Sequence, residues 1–121
     1  DEETSNHVIE VMIHLNTYAA KSLGKFPVNS VTDVTGFGLL GHSLEMAKAS
    51  EVTISIDSKK VPIMNHALDF ARMGIIPEGA YKNMGYVQDD TYISEGDEEA
   101  LSDIYHDPQT SGGLLISLPS E

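Results

Sequence analysis

From Ser5 to Leu23 the apolar residues Val8, Met12, Leu15 and Ala19 recur at helical spacing, with Ile9 and Ile13 beside them. The pattern predicts one amphipathic helix, capped by Thr4 or Ser5 and ended by Gly24. Pro27 to Val34 reads as a short extended segment. A glycine-rich turn follows, and then a helix to about Ala49 with Leu40, Leu44 and Ala47 on its apolar face. Val52 to Ile56 alternates Val, Thr, Ile, Ser, Ile, the period of a strand with one buried face. Pro62 suits a first helical turn, with Ile63, Ala67 and Phe70 along the helix and Gly74 as its C-cap. Ile75 to Gly79 reads as an extended pair running into a turn. Tyr81 to Ser94 is ambiguous, with Tyr86-Val87 and Tyr92-Ile93 as short strands in one reading. Asp97 can cap a short helix carrying Ala100, Leu101, Ile104 and Tyr105. Asp107 to Gly113 is a turn-rich loop, and Leu114 to Leu118 a strongly apolar strand.

Helices and strands mix without strict alternation, which predicts a two-layer α+β domain with helices over a mixed sheet. A length of 121 residues suits one domain and one core. Its first residue is not Met, which fits a fragment or a processed chain; a buried strand close to the last residue wants a covering element, so we expect a single domain, 1–121, cut short at its C-terminal end.

Composition narrows the function. The 40% hydrophobic and 21% charged residues are ordinary for a globular protein, and no apolar run approaches the length of a membrane span. The acidic start, Asp1-Glu2-Glu3, is no signal peptide. There is no Cys, so disulfides, thiolate nucleophiles and Cys-based zinc sites are excluded within the chain. A net charge of −12 disfavours nucleic acid and anionic membrane surfaces as partners. Eight of the acids fall between Asp89 and Asp107, with no Lys or Arg among them. Their spacing fits no EF-hand loop, and a solvated surface accounts for them. His7 and His14, seven apart near one face, are either a metal pair or two exposed helical histidines.

Gly36, Gly38 and Gly41 satisfy G-x-G-x-x-G between a strand and a helix, and Asp57 lies 16 residues beyond Gly41. That pattern is close to a dinucleotide fingerprint. Against it, Asp33 would bring negative charge to the pyrophosphate, alternating β and α units do not follow, and Pro27-Val28 opens a central strand poorly. No P-loop sequence is present. Taken as one unit, Thr32 to His42 has different parts: a strand delivering a carboxylate, a glycine-rich turn, and a helix start that favours anions. A divalent cation bridging carboxylate and phosphate would reconcile them, and magnesium suits that role.

Asp33-Val34-Thr35-Gly36-Phe37-Gly38-Leu39-Leu40-Gly41-His42 resembles the signature of the selenophosphate synthetases (selenide, water dikinases). Asp107-Pro108-Gln109-Thr110-Ser111-Gly112-Gly113-Leu114-Leu115 resembles a second motif of that family. Between them, Gly74 to Gly79 and Asn83 resemble its Gly-x-x-Pro-x-Gly turn and following Asn, with Glu78 where the family more often has Gly. The likeness covers nearly the whole chain. The last motif is shared in part with aminoimidazole ribonucleotide synthetase, formylglycinamidine ribonucleotide synthetase, the hydrogenase maturation factor and thiamine monophosphate kinase.

The resemblance implies the C-terminal domain of an enzyme that converts selenide, ATP and water into selenophosphate, AMP and phosphate with magnesium. It implies a cytoplasmic location and a homodimer at full length. The nucleophilic Cys or selenocysteine, an essential Lys and most metal-holding acids belong to the family's N-terminal domain, so the chain alone should be inactive. Asp33 matches an acid that reaches across the domain interface to magnesium; on its residues alone, an Asp there would cap the helix. No catalytic residue is carried over. His42 is expected to pack or hydrogen-bond, Asp107 to accept hydrogen bonds from its own loop, and Gly112 and Gly113 to permit a tight turn. A second reading is another ATP-using member of the superfamily, and a third a non-enzymatic interaction module.

Overall fold

The computed structural model describes residues 2–94 and 99–120. Its elements are α1 (Glu2–Ile13), α2 (Thr17–Leu23), β1 (Ser30–Asp33), α3 (Gly38–Ser50), a 3-10 turn (Ser58–Lys60), α4 (Ala67–Arg72), α5 (Glu78–Val87), α6 (Glu99–His106) and β2 (Leu114–Ser117). The expected α+β class is present. Its sheet, among the described residues, is an antiparallel pair, β1 with β2, and not a mixed sheet; Asp33 stands opposite Leu114 and Ser30 opposite Ser117. Helix α3 packs against β1, α5 and α6, while α6 also packs on α4 and α5.

The centre of the helical layer is small and tight. Ala80 and Val87 are 0% and 1% exposed, and Ala71, Ala100 and Tyr105 are buried around them. Small residues at α5 and α6 let the helices approach closely, so backbone and polar groups are enclosed too: His42, Ser43, Asn83 and His106 are all buried.

Four further expectations are corrected. The predicted helix from Ser5 to Leu23 is two helices, broken at His14–Asn16, where the Asn16 side-chain amide donates to the Gly112 carbonyl at 3.0 Å. A contact 96 residues away in sequence is invisible to periodicity. Val52 to Ile56 carries no strand ladder, since β1 pairs with β2; its alternation survives only as burial, Ile54 and Ile56 being half-buried and Val52, Thr53 and Ser55 exposed. Tyr86-Val87 is the last turn of α5, because Val87 fills the core and Tyr86 stacks on Phe37 with ring centroids 5.5 Å apart. Tertiary packing overrides β-propensity there. Pro62 precedes no helix; α4 starts at Ala67, after a left-handed His66.

Other signals hold. Gly24 caps α2, and Gly74, at φ +74°, follows the end of α4 and donates its N–H to Ala71. Glu78 opens α5 and pairs with Lys82 one turn on at 2.7 Å, so it sits in a helical first turn, where an acid suits the dipole. The expected cap Asp97 lies outside the described residues, but the helix it was to start is α6.

Candidate functional site

The three motifs separated in sequence meet around residues 33–38. Asp33 ends β1, and the next residue continues the pairing, Val34 N–H donating to the Gly113 carbonyl at 2.9 Å. The chain then turns. The Thr35 carbonyl accepts from Gly38 N–H and from Gln109 N–H, both at 3.0 Å. The Asn83 amide donates one hydrogen to the Gly36 carbonyl at 2.9 Å and the other to the His106 carbonyl at 2.8 Å. Asn83 is 6% exposed, so its two donors are spent in a place where an unpaired amide would be costly. It ties the first motif to the start of the second. The sequence marked Asn83 only by resemblance; no local pattern announces a residue whose partners are two distant carbonyls.

The glycines serve this assembly. A Cβ on Gly38, which has φ +71°, would lie 2.9 Å from the His106 carbonyl carbon and the Tyr105 oxygen. One on Gly112 would lie 2.0 Å from the Val34 oxygen, and one on Gly79 would meet Pro108 Cγ at 2.9 Å. Gly38 and Gly112 therefore admit neighbouring backbone, and Gly79 a neighbouring proline, as the physical role of glycine at close approach requires. The dinucleotide alternative finds no support: the pair of strands is antiparallel, and Asp57 accepts from Lys59 N–H at 3.1 Å and faces Lys60 at 3.5 Å in the 3-10 turn.

Within this frame the Asp33 carboxylate is exposed and, among the described residues, has no hydrogen bond or ion pair. It does not cap α3. That helix starts at Gly38 behind Phe37, with no side-chain cap. His42 is 8% exposed; its Nε2 lies 3.2 Å from Thr35 Oγ1, its Nδ1 3.1 Å from Glu45 Oε2, and its ring beside Phe37. It is a hydrogen-bonded packing residue, as expected. Asp107 takes a hydrogen bond from Gln109 Nε2 at 2.7 Å, again within its own loop. Burial raises its carboxyl above the usual range, and the Gln109 bond offsets part of that.

Other candidates gather no site. Among the described residues no three His, Asp or Glu side chains are placed to hold a metal ion. His14 lies beyond the end of α1, and His7 lines an open cavity of about 690 Å³ with Glu2, Glu3, Glu10 and His66. In the acidic stretch Asp89 and Asp90 are exposed, and Asp90 holds Lys48 at 2.6 Å, which raises the lysine's pKa. Glu95, Asp97 and Glu98 lie outside the described residues. No helix among those described is long and apolar enough to cross a membrane.

Comparison with known proteins adds the following. Residues 1–121 match the family model described as AIR synthase related protein, C-terminal domain. The chain is 62% identical over 121 residues to selenide, water dikinase of Clostridioides difficile (strain 630), covering all of this chain and 35% of that protein. It is 55% identical over 120 residues to selenide, water dikinase 2 of Peptoclostridium acidaminophilum, covering 99% and 34%. Against selenide, water dikinase of Clostridium botulinum (strain Eklund 17B / Type B) it is 49% identical over 121 residues, covering 100% and 35%. The chain thus spans about a third of the length of the curated relatives it matches.

Proposed function

The chain belongs to the AIR synthase related protein C-terminal domain family, and on that premise we propose that it is the C-terminal domain of a selenide, water dikinase. The intact enzyme makes selenophosphate from selenide and ATP, with water consumed and AMP and phosphate released. In this reading the chain supplies scaffold and one magnesium ligand, Asp33. It is inactive alone, because it has no Cys and no group of metal-holding acids among its described residues. The nucleophile and remaining ligands come from an N-terminal domain. A cytoplasmic location and a homodimeric full-length enzyme belong to the same reading.

The observation that carries it is the state of the Asp33 carboxylate. The loop around it is pinned at Val34, Thr35 and Gly36, yet the side chain is exposed and bonded to nothing among the described residues. A carboxylate is an acceptor only, so an unused one on a fixed loop suits a cation. The fit to magnesium rests on ligand number: that ion takes one or two carboxylates and fills its shell with water and substrate phosphate. A lone Asp matches such a share and could not hold the ion by itself. When bound, magnesium would neutralise charge on the transferring phosphoryl group. The chain's own part is to present one oxygen ligand beside a turn that the backbone clamps hold.

Asp33→Asn in the full-length enzyme tests this. The exchange keeps shape and removes charge. Selenophosphate formation should fall about tenfold or more, the scale for losing a charge-stabilising group in phosphoryl transfer, and more magnesium should be required. In the isolated chain, stability should change by no more than about 1 kcal/mol, as no cap is lost. Unchanged turnover and magnesium dependence would refute the metal role.

A further inference from the structure

We infer that Glu45, His42 and Thr35 form a hydrogen-bonded relay that fixes the turn behind Asp33, which makes His42 a positioning residue for that carboxylate. The inference rests on the magnesium reading of Asp33 for its purpose, but its chemistry stands on geometry alone. Glu45 Oε2 lies 3.1 Å from His42 Nδ1, close enough for an ion pair, and a carboxylate only accepts, so its presence favours the hydrogen on Nδ1. In a neutral ring Nε2 is then the acceptor, and at 3.2 Å it receives the Thr35 hydroxyl. Glu45 and His42 sit one helical turn apart on α3, on the side that faces β1 across a cleft of about 200 Å³ lined also by Val31 and Thr32. Burial of His42 and the Phe37 ring 5.6 Å away hold the imidazole in place.

Thr35 carries three of the local restraints. Its carbonyl takes two N–H donors, and its hydroxyl is aimed by His42. It stands two residues after Asp33, and Val34 between them is bonded to Gly113. With Thr35 held at both its carbonyl and its hydroxyl, the backbone leaving β1 is restrained, and with it the point from which the Asp33 side chain departs. The arrangement acts through the backbone in the manner of an outer-shell set: a carboxylate and an imidazole hold the Thr35 hydroxyl, and Thr35 holds the turn that follows the ligand. Glu45 and His42 touch no reacting atom in this scheme.

Two measurements on full-length protein decide it. In ¹⁵N-histidine-labelled enzyme, with the His42 signal assigned by its loss in His42→Gln, Nδ1 should be protonated and Nε2 bare, and Glu45→Ala should shift the ring toward the Nε2–H form. A native ring in the Nε2–H form overturns the proposal. In the second, manganese affinity in the presence of ATP is read by electron paramagnetic resonance beside the magnesium requirement for turnover. Thr35→Val, nearly isosteric, should weaken manganese binding and raise the magnesium requirement about tenfold, the lower end for outer-shell losses. Thr35→Ser, which keeps the hydroxyl, should recover both. If Asp33→Asn weakens metal binding and Thr35→Val does not, the relay is structural only and the proposal fails. If Asp33→Asn leaves metal binding unchanged, the metal reading fails, and the purpose assigned to the relay falls with it, whatever the tautomer.

Discussion

Asn83→Asp exchanges one atom for another of almost the same size and reverses what the group can offer. The wild-type amide points both N–H groups at carbonyl oxygens, Gly36 at 2.9 Å and His106 at 2.8 Å. Because both neighbours only accept, the nitrogen end must face them. An ionised carboxylate donates nothing, so two carbonyls lose their partner, each at about 1–3 kcal/mol when buried. The His106 carbonyl also ends α6, where a negative charge opposes the helix dipole. A loss of about 4 kcal/mol follows, a large part of the 5–15 kcal/mol that holds a typical domain. Asn83→Ala removes the same bonds but adds no charge and leaves room for water, so it should cost less, about 2–4 kcal/mol.

The two variants should also differ in pH dependence. Burial beside carbonyls raises the carboxyl pKa of the new side chain in the folded state. A raised carboxyl contributes its stability below the unfolded value of about 3.9 and loses it as pH rises through the folded value. Urea unfolding at neutral pH and near pH 4.5 should therefore show the aspartate variant recovering relative to alanine in acid. If the two variants are equally stable at both pH values, or if either lies within about 1 kcal/mol of wild type, Asn83 is not the clamp.

Gly112→Ala should lose about 3 kcal/mol in thermal or urea unfolding, at the top of the usual range for overpacking, because its Cβ would lie 2.0 Å from the Val34 carbonyl oxygen and part β1 from β2. Gly85→Ala, in α5 with open space around it, should instead gain about 0.5–1 kcal/mol, and a loss there would contradict the helix. Asp107→Asn should raise the melting temperature at neutral pH, because burial holds the native carboxyl above its ordinary pKa while Gln109 can donate equally to an amide oxygen. The raised pKa makes the charged form the unfavourable one, so the gain should shrink as pH falls through the folded value and vanish below the unfolded one; a gain that grows in acid would refute it.

What periodicity could read was local. Helix α3 follows from Leu40, Leu44 and Ala47, α6 from Ala100, Leu101, Ile104 and Tyr105, and β2 from the run at Leu114. The failures share one cause. Val52 to Ile56 has the alternation of a strand, but a strand exists only with a partner, and β1 takes β2. His14 to Asn16 carries no breaker, and the bend comes from a bond to Gly112 near the other end of the chain. At the candidate site Asp33 is legible through its motif, with two roles open to it. The structure removes one, since α3 starts behind Phe37. Asn83 and the Glu45–His42–Thr35 relay were out of reach, because each is defined by distances between residues whose own neighbours in sequence say nothing about them.

The glycine pattern carries a further lesson about motif chemistry. G-x-G-x-x-G is a statement about missing Cβ atoms, and two physical needs produce it: close approach of a pyrophosphate, or close approach of more polypeptide. Here Gly38 gives way to the backbone at the end of α6, and Gly41 lies against Phe37, with an added Cβ only 2.6 Å from the Phe37 Cβ. Gly36 alone has open space, with nothing within 4 Å of an added Cβ. Of the three, Gly38 is the one that lets the second motif pack against the first. Such packing uses the carbonyls of Thr35 and Gly36 and the N–H groups of Val34 and Gly38. The Asp33 side chain stays exposed and unbonded among the described residues. In the magnesium reading proposed above, the chemistry of the motif is carried by Asp33, and the glycines act on it through the rigidity they make possible.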